Sequence, residues 1–370
     1  MKIVVLGLSI TSSWGNGHAT TYRGLLRELG RSGHDILFLE RNQPWYAHNR
    51  DLPRPDFCDV QIYRSLTELK RRFPGDVSRA DCVIIGSYVP DGAAIGEWVI
   101  EHARGVTAFY DIDTPVTLAS LARRRVEYIS RELIPKFALY LSFTGGPTLD
   151  RIERIYGGRR ARALYCSVDA DMYFPEDCPK DWTLGYLGTF SADRQPTLQK
   201  LLSDVAEQLP NDSFVVAGSQ YPRSIRWPHN LARITHLEPS AHRVFYNAQR
   251  FTLNITRAEM IRAGYSPSVR LFEAAACATP IITDQWPGLA ELFLPGREIL
   301  TARTTTDVIR FLRELPESEA RAIGRRARGR VLAEHTAAHR AAELEEAIES
   351  VRQEESFVSN HSAELEEVAR

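Results

Sequence analysis

The sequence predicts an α/β fold in two halves, each a parallel sheet with helices on both faces. Three observations carry that expectation. Short apolar runs of strand length alternate with segments of helical period from one end to the other, the pattern of repeated β-α units. A chain of 370 residues is too long for one ordinary hydrophobic core. Near the middle, a stretch rich in Asp and Pro interrupts the alternation.

Taken in order, Lys2 to Leu8 reads as a buried strand, Gly15 to His18 as a glycine-containing turn, and Ala19 to Arg31 as a helix with Tyr22, Leu25, Leu26 and Leu29 on one face. Gly33 ends that helix and Asp35 to Leu39 is a second strand, so the opening is a βαβ unit with a right-handed crossover. Arg41 to Asp56 is polar, Pro-rich and aromatic; its Trp45, Tyr46 and His48 cannot all be core, and it reads as a mobile rim. Further strands are expected at Val60 to Tyr63, Cys82 to Gly86, Thr107 to Tyr110, Leu139 to Phe143 and Ala163 to Cys166. Between them fall helices ending near Arg72, spanning Ile95 to Ala103, reaching to Leu133, and covering Pro147 to Tyr156. This places a first domain at 1–167. Residues 168–181, which hold Asp169, Asp171, Pro175 and Pro179, have no period and read as a linker.

The second series has strands at Thr183 to Leu187, Phe214 to Ala217, Ala232 to Thr235, Phe251 to Asn254 and Ile281 to Thr283. Helices are expected at Thr197 to Gln208, Ala241 to Ala248, Thr306 to Leu315 and, in one piece, Glu317 to Gln353. The second domain is therefore 182–353, and 354–370 is a polar tail expected to fray.

Composition narrows the function. With 44% hydrophobic and 25% charged residues the chain is of ordinary globular type, and a net charge of −1 supplies no general attraction to nucleic acid or anionic membranes. No apolar stretch reaches the roughly 18 residues of a membrane span. The start, MKIVVLGLSITSS, has one Lys before an apolar run, but the run is short and leads into a turn and an amphipathic helix, so it reads as a first β-α unit and not as a secretory signal. Five scattered cysteines without a C-x-x-C pair fit reduced, buried thiols and a cytoplasmic protein.

The chemistry concentrates between Tyr265 and Leu300. Ser266 reads as an N-cap with Pro267 at the first helical position and Ser268 beside it, followed by a helix of small residues. The open backbone N–H groups of Ser266, Ser268 and Val269 and the positive dipole end suit a phosphate. Glu273, about two turns in, suits a vicinal diol such as a ribose. Ile281 to Thr283 then forms a short buried strand, and Asp284 to Gly288 a Pro-Gly turn at its carboxyl end, where ligands of open α/β sheets sit.

The string SPSVRLFEAAACATPIITD, followed by PGLAELFLPGREIL, resembles the nucleotide-sugar signature of GT-B glycosyltransferases, most nearly the CgeB-like or spore-maturation group. The resemblance implies two Rossmann-like domains facing each other across a cleft, the acceptor in the first, the nucleotide sugar in the second, and a C-terminal helix bracing the first domain. It also implies a linker of the type SVDADMYFP. In the wider retaining families two Glu stand eight positions apart, the second holding the ribose and the first near the donor sugar or phosphate. Glu273 matches the second; the first falls on Tyr265.

Other residues each have two readings. In LGYLGTFSADRQP, Gly188 and Thr189 bring backbone close to a diphosphate and Arg194 neutralises it, or the segment is a plain turn with a surface Arg. Arg270 shares a helix face with Glu273 and either pairs with it or reaches the diphosphate. Arg257 is a second cation candidate or a solvated loop residue. His18, in GNGHAT, contacts the acceptor or acts as general base, or else caps its helix. Asp111 and Asp113 have the D-x-D spacing of the Mn²⁺ site of GT-A enzymes, a device GT-B families do not use; Asp113 is read as an acceptor-side residue or base, or as a helix cap. Asp169 and Asp171 are read as turn and cap residues. Gly288 and Leu289, in PGL, offer backbone to a donor sugar, and Glu291 is a solvated helix residue.

The combined expectation is a metal-independent hexosyltransferase without a cofactor. A UDP-, GDP-, dTDP- or ADP-sugar is the donor, the acceptor is open but not nucleic acid, and the anomeric configuration is retained. The rivals are a non-catalytic nucleotide-sugar binding protein and a nucleotide-sugar 2-epimerase of the same architecture.

Overall fold

The computed structural model describes residues 1–123 and 125–368, with side chains through Glu354. The chain forms two compact units. One comprises Met1–Ser12, Leu25–Tyr165 and the chain from Ala338 onward; the other comprises Ser13–Gly24 and Cys166–Ala337.

The first unit is built on seven parallel strands. In chain order the elements are β1 (Lys2–Gly7), α1 (His18–Arg31), β2 (Asp35–Arg41), α2 (Pro44–Ala47), β3 (Asp59–Tyr63), α3 (Leu66–Arg72), α4 (Pro74–Arg79), β4 (Cys82–Gly86), α5 (Gly92–His102), β5 (Val106–Asp111), α6 (Thr114–Ala122), β6 (Leu139–Ser142), α7 (Pro147–Tyr156) and β7 (Ala161–Ala163). The strand order is β3-β2-β1-β4-β5-β6-β7, so the winding reverses between β1 and β4. Strands such as β4 are buried at every residue because helices cover both faces, which is why they read as unbroken apolar runs. In the rim after β2, Tyr46 is buried and Trp45 exposed.

Two expectations are corrected here. Helix does not extend to Leu133: α6 stops at Ala122, and among the described residues before β6 a 3₁₀ turn at Ile134–Lys136 follows. The last strand lies at Ala161–Ala163 and not at Ala163–Cys166, because Tyr140 to Ser142 of β6 pair with Ala161 to Ala163.

The second unit has six parallel strands in the order β10-β9-β8-β11-β12-β13. Its elements are β8 (Trp182–Leu187), α8 (Gln195–Leu198) running through a π turn (Gln199–Ser203) into α9 (Asp204–Gln208), β9 (Phe214–Ala217), β10 (Leu231–Ile234), α10 (Pro239–Asn247), β11 (Gln249–Asn254), α11 (Ala258–Ala263), α12 (Val269–Ala276), β12 (Ile281–Thr283), α13 (Leu289–Leu292), β13 (Leu300–Thr301), α14 (Thr305–Glu314) and α15 (Glu317–Glu334). Helix α11 and strand β13 add to what the pattern suggests. A capping box, in which Thr304 and Asp307 bond reciprocally, starts α14.

The helix expected in one piece from Glu317 is two. It breaks at His335 and Thr336, where Val168 donates to the His335 carbonyl at 3.3 Å and accepts from the Ala337 N–H at 2.8 Å. Those backbone groups leave the helical ladder to make this bridge. The terminal helix α16 (Ala337–Val368) then continues beyond Gln353 to Val368, where a frayed tail is expected; its sequence is rich in the helix formers Glu and Ala. It braces the first unit: Leu344, Ile348 and Val351 are buried, Glu345 meets His34 at 2.8 Å, Arg352 lies 3.8 Å from Asp81, and Glu354 pairs with Arg160. No helix among the described residues is long and apolar enough to cross a membrane.

Candidate functional site

In the second unit the winding reverses between β8 and β11, so the loops leaving their carboxyl ends diverge, the place where ligands of open α/β sheets sit. The loop after β8 carries Gly188, Thr189 and Arg194; that after β11 carries Ile255, Thr256 and Arg257 and leads through α11 to the start of α12.

Arg194 is largely enclosed. Its Nη2 donates to the Thr189 carbonyl at 2.7 Å, and its Nε has no hydrogen-bond partner among the described residues. Burial draws the guanidinium below its ordinary range; Tyr186 opposes this, and the positive charges of Arg270 and Arg257 add to it. Arg194 thus stands within Coulombic reach of two further guanidiniums, while the carboxylates of Asp193 and Asp284 act on Arg257 and Arg270. Gly188 is required by packing, since a Cβ there would lie 2.6 Å from the Tyr186 hydroxyl.

The start of α12 differs from expectation. The N-cap residue is Ser268 and not Ser266, with Val269 the first helical residue and Ser266 buried in the preceding loop. The Ser268 hydroxyl does not cap; it donates to Asn254 Oδ1 at 2.7 Å, because Asn254 closes β11 directly opposite. Arg270 Nη1 donates to the same oxygen at 2.9 Å and to the Ile255 carbonyl at 3.4 Å, and its guanidinium lies over the Tyr186 ring. Arg270 is therefore turned toward the strand ends and not toward Glu273. Asn254 completes its set by donating to Thr283 on β12 at 2.9 Å. The sequence reading passed over this hub; the signal was a polar residue closing the apolar run FTLN.

With α12 beginning at Val269, Glu273 stands one turn in, and not two. It is 2% exposed. Its oxygens accept from the hydroxyls of Tyr173 at 3.0 Å and Tyr246 at 2.9 Å, and His242 lies 3.8 Å away. Burial pushes the carboxyl up, but His242, Tyr246 and Tyr173 outweigh it and hold the group below its usual range.

One strand over, Asp284 accepts from the Thr256 N–H and hydroxyl at 2.9 and 2.8 Å, and burial pushes its carboxyl up. Gly288 has φ 88°, and a Cβ there would fall 2.5 Å from the ring of Tyr265. Tyr265 is itself left-handed, with φ 49°, and donates its N–H to the Pro287 carbonyl at 2.7 Å. An aromatic residue in that region is an outlier held in place by its neighbours. Glu291 is exposed.

The remaining candidates lie elsewhere. His18 is the first residue of α1, and its N–H donates to Asn16 Oδ1 at 3.2 Å. Asp113, in the first unit, takes the N-cap position of α6 without a side-chain cap bond and accepts from the Tyr88 hydroxyl at 2.9 Å. Asp111 is fully buried and accepts from Tyr140 at 2.6 Å and Thr117 at 2.8 Å. Among the described residues no three His, Cys, Asp or Glu side chains are grouped so as to hold a metal ion. Asp169 accepts from the Asp171 N–H at 3.0 Å, a turn role.

Residues 194–346 match the family described as Glycosyl transferase-like. No curated protein sequence matches the chain. Among solved structures, sucrose-phosphate synthase from Thermosynechococcus elongatus superposes with a TM-score of 0.69 at 13% identity, covering 95% of this chain and 100% of that one. HepE of Anabaena in complex with UDP-glucose gives a TM-score of 0.70 at 13% identity over 95% and 100% of the two chains. An alpha-glucosyltransferase in complex with UDP-glucose and DNA containing an abasic site gives 0.67 at 13% over 94% and 99%. Two parallel Rossmann-like sheets, a terminal helix returning to the first of them, and these whole-length superpositions together give the chain the GT-B fold of nucleotide-sugar glycosyltransferases.

Proposed function

We propose that the chain is a glycosyltransferase that moves a hexosyl group from a nucleotide sugar to an acceptor hydroxyl, with retention and in the cytoplasm, and that it falls in the CgeB-like group. The observation that carries this reading is the cluster of Arg194, Arg257 and Arg270 around the start of α12 at the strand-order reversal. A diphosphate placed there meets three cations and the N–H groups of Ser268 and Val269, with the Ser266 loop behind and the Gly188–Thr189 backbone beside it. With that much fixed positive charge the leaving diphosphate needs no metal to stabilise it. Glu273 holds the ribose, and the Gly288 turn with Tyr265 borders the donor sugar. His18 and Asp113 serve the acceptor side, as contacts to the acceptor hydroxyl or as the group that takes its proton.

UDP-sugars are the first donors to test, since the complexes named above hold UDP-glucose. The acceptor is read as other than nucleic acid, because a net charge of −1 offers a polyanion no general attraction. A second reading, a binding protein without turnover, is favoured by Tyr265 at the position of the first Glu.

The test is incubation with UDP-, GDP-, dTDP- and ADP-sugars, with the donor followed by chromatography. Hydrolysis or transfer of at least one donor is expected, unchanged by EDTA. An epimerised donor would point to the isomerase, and binding without turnover to the binding protein. Loss with EDTA and recovery with Mn²⁺ would make Asp111 and Asp113 metal ligands.

A further inference from the structure

Glu273 draws its partners from two segments outside its own helix. Tyr173 lies in the segment that precedes β8, Tyr246 and His242 lie on α10, and the carboxylate is on α12. The hydroxyl of Tyr173 is also 3.3 Å from His242 Nδ1. Tyr173 is 4% exposed and Tyr246 fully buried, so the cluster is dry and the bonds are not shared with bulk solvent. The turn at Asp169, whose carbonyl accepts from the Tyr173 N–H at 3.0 Å, fixes where that ring enters.

Stability alone does not call for this arrangement. A buried charge with partners is on average no more stabilising than apolar side chains of the same volume, and Phe would fill either tyrosine site. What the two hydroxyls do is orient and charge one carboxylate. A carboxylate has about four acceptor sites; the two tyrosines occupy one on each oxygen and His242 lies 3.8 Å from the second, so acceptor capacity remains for a hydroxyl of a ribose 2′,3′-diol.

We propose that Tyr173 is a positioning residue for donor binding: together with Tyr246 it holds the Glu273 carboxylate in the rotamer that receives the ribose diol, making the segment before β8 part of the nucleotide site. This rests on the reading of Glu273 as the ribose ligand. The groups facing the carboxylate are Tyr173, Tyr246, His242 and Cys277, with Arg270 beyond Tyr246 and Arg243, Glu176 and Lys180 beyond Cys277.

The experiment is calorimetric titration of UDP and 2′,3′-dideoxy-UDP into the wild type, Tyr173→Phe, Tyr246→Phe and Glu273→Gln. Tyr173→Phe is expected to weaken UDP about tenfold, the scale of one hydrogen bond to a charged group, and to leave dideoxy-UDP unchanged. Its affinity for UDP is also expected to fall away at higher pH than in the wild type, because the carboxylate loses a donor. Equal weakening of both nucleotides would mean general loosening and would overturn the proposal. So would full UDP affinity in Tyr173→Phe beside a weakened Glu273→Gln, a result that leaves the ribose reading standing. Full UDP affinity in Glu273→Gln, or no UDP binding by the wild type, would remove the ribose reading itself. Should Tyr173→Phe fail to fold, Tyr246→Phe carries the same comparison.

Discussion

Two buried carboxylates respond to the interior in opposite senses. Glu273 has enough donors to overcome burial, so its carboxyl is held low, and its contribution to stability is present above the unfolded value and lost as pH falls through the folded one. Asp111 does not. Burial raises it to about 6, against the hydroxyls of Tyr140 and Thr117 and the N–H of Asp113, with the Asp113 charge adding to the rise. The folded state therefore holds the Asp111 proton longer than the unfolded state, and stability is lost as pH climbs from the ordinary carboxylate range to about 6. Relative to Asp111→Asn, which cannot ionise, the wild type should lose roughly 3 kcal/mol across that window. Urea unfolding of both proteins between pH 4 and pH 7.5 measures the difference; a constant gap would show that Asp111 ionises normally. The carboxylates were visible in the sequence as candidates. Their partners were not, because Tyr140 and Tyr173 reach them from 29 and 100 residues away.

At the scale of elements, α12 is fixed at both ends by other parts of the second unit. Its start is tied to β11 through Asn254. Its end is met by α15, where Arg328 Nε donates to the Ala276 carbonyl at 3.2 Å, a cation at a helix C-terminus. The approach depends on Gly324, for a Cβ there would lie 2.1 Å from the Ala278 carbonyl oxygen. Gly324→Ala must push α15 away, and a loss of about 1 to 3 kcal/mol is expected despite the better helix propensity of Ala. Denaturant unfolding tests this, and an unchanged or raised midpoint would refute the close approach. Element type and place were legible wherever an apolar run was bounded by turn residues: Cys82–Gly86, Phe214–Ala217 and Ile281–Thr283 lie where the pattern puts them. The misses have identifiable causes. RAEMIRAG is too short and polar to show a helical face, β13 is two residues long, and the break at His335 is made by a distant backbone bridge.

At the scale of the molecule, each unit has a hydrophobic core of its own among the described residues. One is centred on residues such as Leu6, Ile85 and Phe109, the other on Leu184, Phe251 and Ile282. Each has its own sheet and its own strand-order reversal, and the nucleotide site proposed here belongs to the second alone. A ligand stabilises what it binds, by about 2.7 kcal/mol at a hundred times its Kd. UDP is therefore expected to raise the melting transition of the second unit. Calorimetry with peptide-level hydrogen exchange would show protection concentrated in residues 184–194, 251–257 and 266–276; protection confined to the first unit would exclude this site.

The sequence by itself determined the α/β class, the two halves and most strand positions, because alternation of burial and turn chemistry are written in adjacent residues. Only the tertiary structure decided the order of the strands, and with it which loops diverge. It also decided that Ser268 and Arg270 converge on Asn254 and that Glu273 is enclosed by Tyr173, Tyr246 and His242. Those pairings form between segments far apart in the chain, where a hydrogen-bond donor finds its acceptor only after the sheet has assembled, and no local pattern encodes the meeting.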